Sequence, residues 1–259
     1  MSGSPYESLD IHTRLLKCAL QVEDSRAYWT HATAQPAASA NTAFNEYWFG
    51  AKSLRRVKVL LTSFRSRFDA FPPSLHVLAA WHTMPPRTRT TICHWHLQLS
   101  DPLYRQFSGV FLPERIDAGR PTIQHAQVVD WVGDQGKVGW SMTTRRQFAS
   151  RLLSCARETG LLQGMKGKMP LMVPRVEDDA LRYLLHLLRA VEIDASLLDN
   201  PYLRSMGLTG SVLADRLRTF SDVGYSHQAG VVHLNFRHES LRSWAHATVA
   251  PSLPAESIA

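Results

Sequence analysis

Cysteine is scarce in this chain. Its 259 residues include three, Cys18, Cys93 and Cys155. An odd number so widely spaced supports neither a disulfide framework nor a Cys-x-x-Cys zinc site, and a reducing compartment fits. Long apolar runs are missing too. No stretch approaches the roughly 18 apolar residues that a membrane-spanning helix needs, and the opening Met-Ser-Gly-Ser-Pro-Tyr-Glu lacks a basic and apolar signal region. These absences predict a soluble, cytoplasmic protein that does not engage the membrane.

Catalytic signatures are equally thin. Gly167-Lys168 has the look of a phosphate loop, but Leu162 and Met169 stand where its first glycine and its Mg²⁺-binding hydroxyl residue should be. A restriction-type nuclease needs carboxylates clustered with a lysine. Asp130, Asp134 and Lys137 instead fall in a glycine-broken loop, and Glu177-Asp178-Asp179 reads as charge favoured at a helix N-terminus. No serine or cysteine sits in a nucleophile-elbow context. Cys93-His94-Trp-His96, with His82 upstream, invites a metal reading. In a helix over 90–99, however, positions 93, 94 and 96 do not share a face, and structural zinc wants four ligands in recognisable pairs. The expectation is a non-enzyme with no metal and no cofactor.

Positive charge is present, and it is concentrated. The chain carries +7 overall with a pI near 9.6, which favours a polyanionic partner, nucleic acid being the commonest. Residues 137–175 hold eight Lys or Arg against one acid, Glu158, so this segment has an excess equal to that of the whole chain. Thr144 and Gln147 have capping-box spacing, which predicts a helix starting near Arg145. Phe148, Ala149, Leu152, Leu153 and Ala156 recur at three- and four-residue spacing and form an apolar stripe, with Arg145, Arg146, Arg151 and Arg157 off it. Gly160 can close the helix, and Gly164-Met-Lys-Gly167 makes a turn between two apolar arms. Helix, hairpin and basic loop in that order suggest a winged helix-turn-helix, with 144–159 as recognition helix and Lys166 and Lys168 at the wing tip.

The rest of the chain arranges around this unit. Helix patterns are expected over 9–33, 53–68 (capped by Ser53), from Ser74 after Phe71-Pro-Pro73, over 90–99 and over 103–111, which together make a helical bundle spanning 1–120. The 53–68 helix carries a second basic face with Lys52, Arg55, Arg56, Lys58, Arg65 and Arg67. A winged-helix-like unit is expected over 121–195, with a strong helix at 177–191. A third unit follows over 196–259: a helix capped by Ser211, a hairpin over 223–237 turning at Gln228-Ala-Gly230, and a loose tail after Trp244. The fold class is thus mainly α with small β-hairpins.

The run Trp140-Ser-Met-Thr-Thr-Arg-Arg-Gln-Phe-Ala-Ser-Arg-Leu-Leu-Ser-Cys-Ala-Arg-Glu-Thr-Gly-Leu-Leu162 resembles the Trp-Ser-x-x-Thr-Arg run, ending in a Gly-Leu-Leu-like segment, of the BrxA family of BREX phage-defence systems. Ser53-Leu-Arg-Arg-Val-Lys-Val-Leu-Leu, Ser100-Asp-Pro-Leu-Tyr-Arg-Gln-Phe107 and Ala180-Leu-Arg-Tyr-Leu-Leu-His-Leu-Leu188 are similar to further family segments in the same order, so the resemblance covers about residues 10–245. It implies a non-catalytic DNA-binding component with a NusB-like N-terminal bundle, winged-helix elements after it, homodimers, and other BREX components as partners. The residues expected to meet double-stranded DNA are Lys137, Thr143, Thr144, Arg145, Arg146 and Arg151, the wing residues Lys166 and Lys168, and Lys52, Arg55 and Arg56 of the earlier basic helix. An RNA-binding, antitermination-like role and a protein adaptor with incidental basic faces are the competing readings. Steep salt dependence would separate nucleic-acid binding from adaptor function.

Overall fold

The computed structural model describes residues 5–135, 139–228 and 231–253. The apolar pattern expected as one helix over 9–33 folds as two, α1 (Arg14–Lys17) and α2 (Val22–Ala34). The break lies at 18–21, where Gln21 takes a left-handed φ of 54° and ordinary helix hydrogen bonding is lost. Arginines from the fourth helix replace it. Arg56 donates to the Lys17 carbonyl (2.6 Å), and Arg67 donates to those of Cys18 (2.6 Å) and Leu20 (3.1 Å). After α3 (Ala40–Asn45), α4 (Leu54–Phe64) begins at the expected cap, the Ser53 hydroxyl accepting from the Arg56 amide, and runs on as a π-helical turn, Arg65–Asp69. Val57, Leu61, Phe64 and Phe68 of its stripe are buried, and the two phenylalanines pack against Tyr28.

The proline pairs start helices here as well as ending them. α5 (Pro72–Ala80) and α6 (Pro86–Ser100) each carry proline in the first turn, where the missing N–H is no loss. α6 therefore begins several residues before the expected 90. From Thr91 to Ser100 every residue of α6 is buried, so this is the axial helix of the molecule. A helix buried all round must satisfy its polar side chains internally. The His94 ring nitrogens meet the Tyr104 hydroxyl (2.8 Å) and the Ser205 hydroxyl (2.9 Å). Those of His96 meet the Arg67 carbonyl (2.9 Å) and the Tyr183 hydroxyl (2.7 Å), while Trp95 donates to the Tyr202 carbonyl (3.0 Å). The imidazoles that invited a metal reading are thus committed to hydrogen bonds.

These partners come from far along the chain, and one continuous buried core runs from Leu15 to Leu253, across the expected divisions at 120 and 195. α7 (Pro102–Gln106), a π-helical turn Phe107–Phe111 and α8 (Leu112–Asp117) follow α6. Then come β1 (Thr122–Ile123), α9 (His125–Gln135), α10 (Met142–Glu158), β2 (Met169–Pro170), α11 (Asp178–Arg189) and α12 (Pro201–Arg204). α11 packs on α6, and α12 packs on the π turn so closely that a Cβ at Gly109 would lie 2.5 Å from the Pro201 carbonyl oxygen. The protein is mainly helical, with two small two-stranded antiparallel sheets, β1–β2 and a hairpin near the C-terminus.

The C-terminal part departs from expectation at two points. α13 (Gly210–Arg218) starts with Thr209 at its N-cap and without a side-chain cap, so Ser211 lies inside the helix. β3 (Val223–Gln228) and β4 (Val231–Phe236) form the expected hairpin, pairing Val223 with Phe236 through Gln228 with Val231; Ala229 and Gly230 of its turn lie outside the described residues. The segment after Trp244, expected to be loose, is ordered in its first part. α14 (Leu241–Thr248) is started by a reciprocal Ser240–Ser243 capping box, Ala250 and Leu253 are buried, and His246 Nδ1 lies 2.7 Å from the Leu253 carbonyl. Apolar side chains at 245, 250 and 253 gain more by packing on the core than the chain loses in freedom. Among the described residues no helix is long and apolar enough to cross a membrane.

Candidate nucleic-acid interface

α10 begins three residues before the expected start. Ser141 is its N-cap, with the hydroxyl accepting from the Thr144 amide (3.2 Å), and Thr144 lies inside the first turn. Both residues are capable caps. The earlier one wins because Trp140 then stacks on Phe148, with centroids 4.3 Å apart, and the helix gains most of a turn of hydrogen bonds. All five residues of the predicted stripe are buried, together with Cys155. Gly160 closes the helix at a φ of 78°.

The arginines of α10 divide into two kinds. Arg145 is half-buried, its Nε donating to the Trp140 carbonyl (3.1 Å), and it lies so close to α9 that a Cβ on Gly133 would be 2.6 Å from its guanidinium. Arg157 donates to the Gly164 carbonyl (2.8 Å) and braces the following loop. Arg146 and Arg151 are exposed, with no side-chain partner among the described residues. Between them the solvent face carries Thr143, Gln147, Ser150 and Ser154. A shallow groove there is lined by Leu16, Thr143, Arg146, Gln147, Ser150 and Arg151, and His125, the first residue of α9, lies 3.0 Å from the Ser150 hydroxyl. Gln147, Ser150 and Ser154 were absent from the expected contact set. Their positions off the apolar stripe were the available signal.

The loop after α10 is held by three short antiparallel segments. Ile123 and Thr122 pair with Met169 and Pro170, and Leu162 bridges Leu171. Gln163 donates to the Pro170 carbonyl (3.0 Å), Met172 to that of Leu161 (3.0 Å) and Leu171 to that of Pro121 (2.9 Å). The tip turns at Gly164 and Gly167, both left-handed, where a side chain would be strained. Lys166 and Lys168 are exposed on this tip.

The residues in and just before α4 fare differently. Lys52 is paired with Asp24 (2.8 Å) and donates to the Phe49 carbonyl (2.8 Å), and Arg56 is committed to Lys17 and the Gln21 side chain. Both were expected to reach DNA; both are half-exposed and tied to partners that the local sequence does not reveal. Arg55 is exposed. Lys137 lies outside the described residues. Among the described residues no three His, Cys, Asp or Glu side chains are grouped to hold a metal ion. Burial pushes the Cys93 and Cys155 thiols up to about 12 and the His94 and His96 imidazoles down to about 3 and 4. At neutral pH these thiols and rings are uncharged. No protein-family model matches the chain, and no curated protein matches it.

Proposed function

We propose that this chain is a non-catalytic, duplex-DNA-binding component of a BREX-type phage-defence assembly, acting as a homodimer beside other BREX components. In this reading residues 112–172 are a winged helix-turn-helix, with α8 and α9 as its supporting helices, α10 as recognition helix and 163–168 as wing. The preceding helices are its NusB-like bundle. The observation that carries the reading is the solvent face of α10, where Gln147 and Ser150 stand between the unpaired cations Arg146 and Arg151. Amide and hydroxyl groups can hydrogen-bond base edges, and flanking guanidiniums suit phosphates. A glycine-framed basic tip beside the same helix adds a second contact.

Fluorescence anisotropy with a labelled duplex across a salt series tests this. Arg146→Ala/Arg151→Ala should reduce affinity at least tenfold and lower the salt slope by about 2, roughly one per lost phosphate contact, with the thermal transition unchanged. Lys166→Glu/Lys168→Glu should weaken binding more than the alanine pair does, because repulsion adds to lost attraction. Equal affinity for duplex RNA, whose deep major groove excludes side chains, would overturn the recognition-helix assignment.

A further inference from the structure

The two flanks of α10 are not equivalent. At 3.6 residues per turn, Arg151, Cys155 and Glu158 fall on one flank and Arg146, Leu153 and Arg157 on the other. The second flank faces the wing, since Arg157 donates to the Gly164 carbonyl at 2.8 Å. The first faces the start of the chain. α1 packs against α10 there, and Leu16 of α1 lines the groove that holds Gln147 and Arg151. This packing leaves Arg14 and Lys17 exposed, one turn apart. Neither the Arg14 nor the Lys17 side chain has a hydrogen-bond or ion-pair partner among the described residues. A four-residue helix has little stability of its own. Here Arg56 and Arg67 hold its C-terminal carbonyls, so two further cations fix the backbone that presents Lys17.

We infer that α1 is a second phosphate-contacting element, gripping through Arg14 and Lys17 the DNA strand on the opposite side of the groove from the wing. This rests on α10 being the DNA-binding helix. A helix about 10–12 Å across fills a major groove about 12 Å wide and leaves a phosphate strand along each flank. The wing lysines serve one strand and α1 the other. The sequence did not suggest this surface, because Arg14 and Lys17 lie more than a hundred residues before α10.

The test is the salt dependence of duplex binding by the full chain. Arg14→Ser/Lys17→Ser should lower the log–log salt slope by about 1.8, some 0.9 per contact, and weaken binding several-fold at moderate salt with the thermal transition unchanged. Arg87→Ser/Arg218→Ser removes the same charge from exposed sites on α6 and α13 and should leave the slope as in wild type. A wild-type slope in the α1 variant, or an equal fall in the control, overturns the inference. If Arg146→Ala/Arg151→Ala still loses binding in that case, the reading of α10 stands alone. If the wild-type chain binds no duplex, both fail.

Discussion

Three buried histidines should make this protein acid-labile well above the range where carboxylates titrate. Burial lowers His94 to about 3, and His96 and His186 to about 4, against an ordinary 6.5. Because each folded-state pKa lies below its unfolded value, the unfolded chain takes up protons first as pH drops. The stability is fully present above about pH 6.5 and is lost as pH falls toward 4. At pH 5 each ring has lost about 1.5 pH units of linkage, or ~2 kcal/mol, and the three together ~6 kcal/mol. That is comparable to the ~5–15 kcal/mol that holds a typical domain folded. Asp69, Asp101 and Glu158, raised by burial, work in the opposite sense and offset part of the loss.

His186 allows a clean perturbation. Both its ring nitrogens are buried without a hydrogen-bond partner among the described residues, and the ring stacks on Trp244 (5.7 Å) and meets Phe236 edge-on (5.0 Å). Arg189 and His238 nearby also disfavour its charged form, and Asp222 favours it. His186→Phe keeps the ring and removes the titration. Urea unfolding followed at pH 7.5, 6 and 5 should show the variant at least as stable as wild type at pH 7.5 and ahead by a further ~2 kcal/mol at pH 5. An unchanged difference across that range would refute the assignment of a neutral, desolvated imidazole.

Two other substitutions separate structure from surface. Arg145→Ala should lower the thermal midpoint and cost ~1 kcal/mol, since it strips a charged donor from the Trp140 carbonyl; Arg146→Ala, one residue on, should leave the midpoint unchanged in the same calorimetric scan. Gly109→Ala should destabilise by ~2 kcal/mol or more, because the new methyl meets the Pro201 backbone at 2.5 Å and α12 must shift to admit it. Denaturant unfolding that left its midpoint in place would show that α12 can move freely.

Local pattern was enough to settle much of this molecule. The α10 stripe, the Ser53 cap of α4, the left-handed glycines at 160, 164 and 167, and the β3–β4 hairpin each depend on interactions within a few residues or on one residue's steric freedom, and each was readable in the chain. What a long polar side chain does was not readable. Arg145 and Arg146 are neighbours of identical chemistry, yet one is wedged beside Gly133 and the other faces solvent. Arg55 and Arg56 differ in the same way, because the turn at 17–21 happens to lie under only one of them. His94 and His96 resemble metal ligands until Tyr104, Ser205, Arg67 and Tyr183 arrive from 10 to 111 residues away. Helical periodicity is imposed by neighbours along the chain, whereas a buried hydrogen bond needs partners that only the packing of distant segments supplies, and so tertiary structure alone decided which of the cations face solvent.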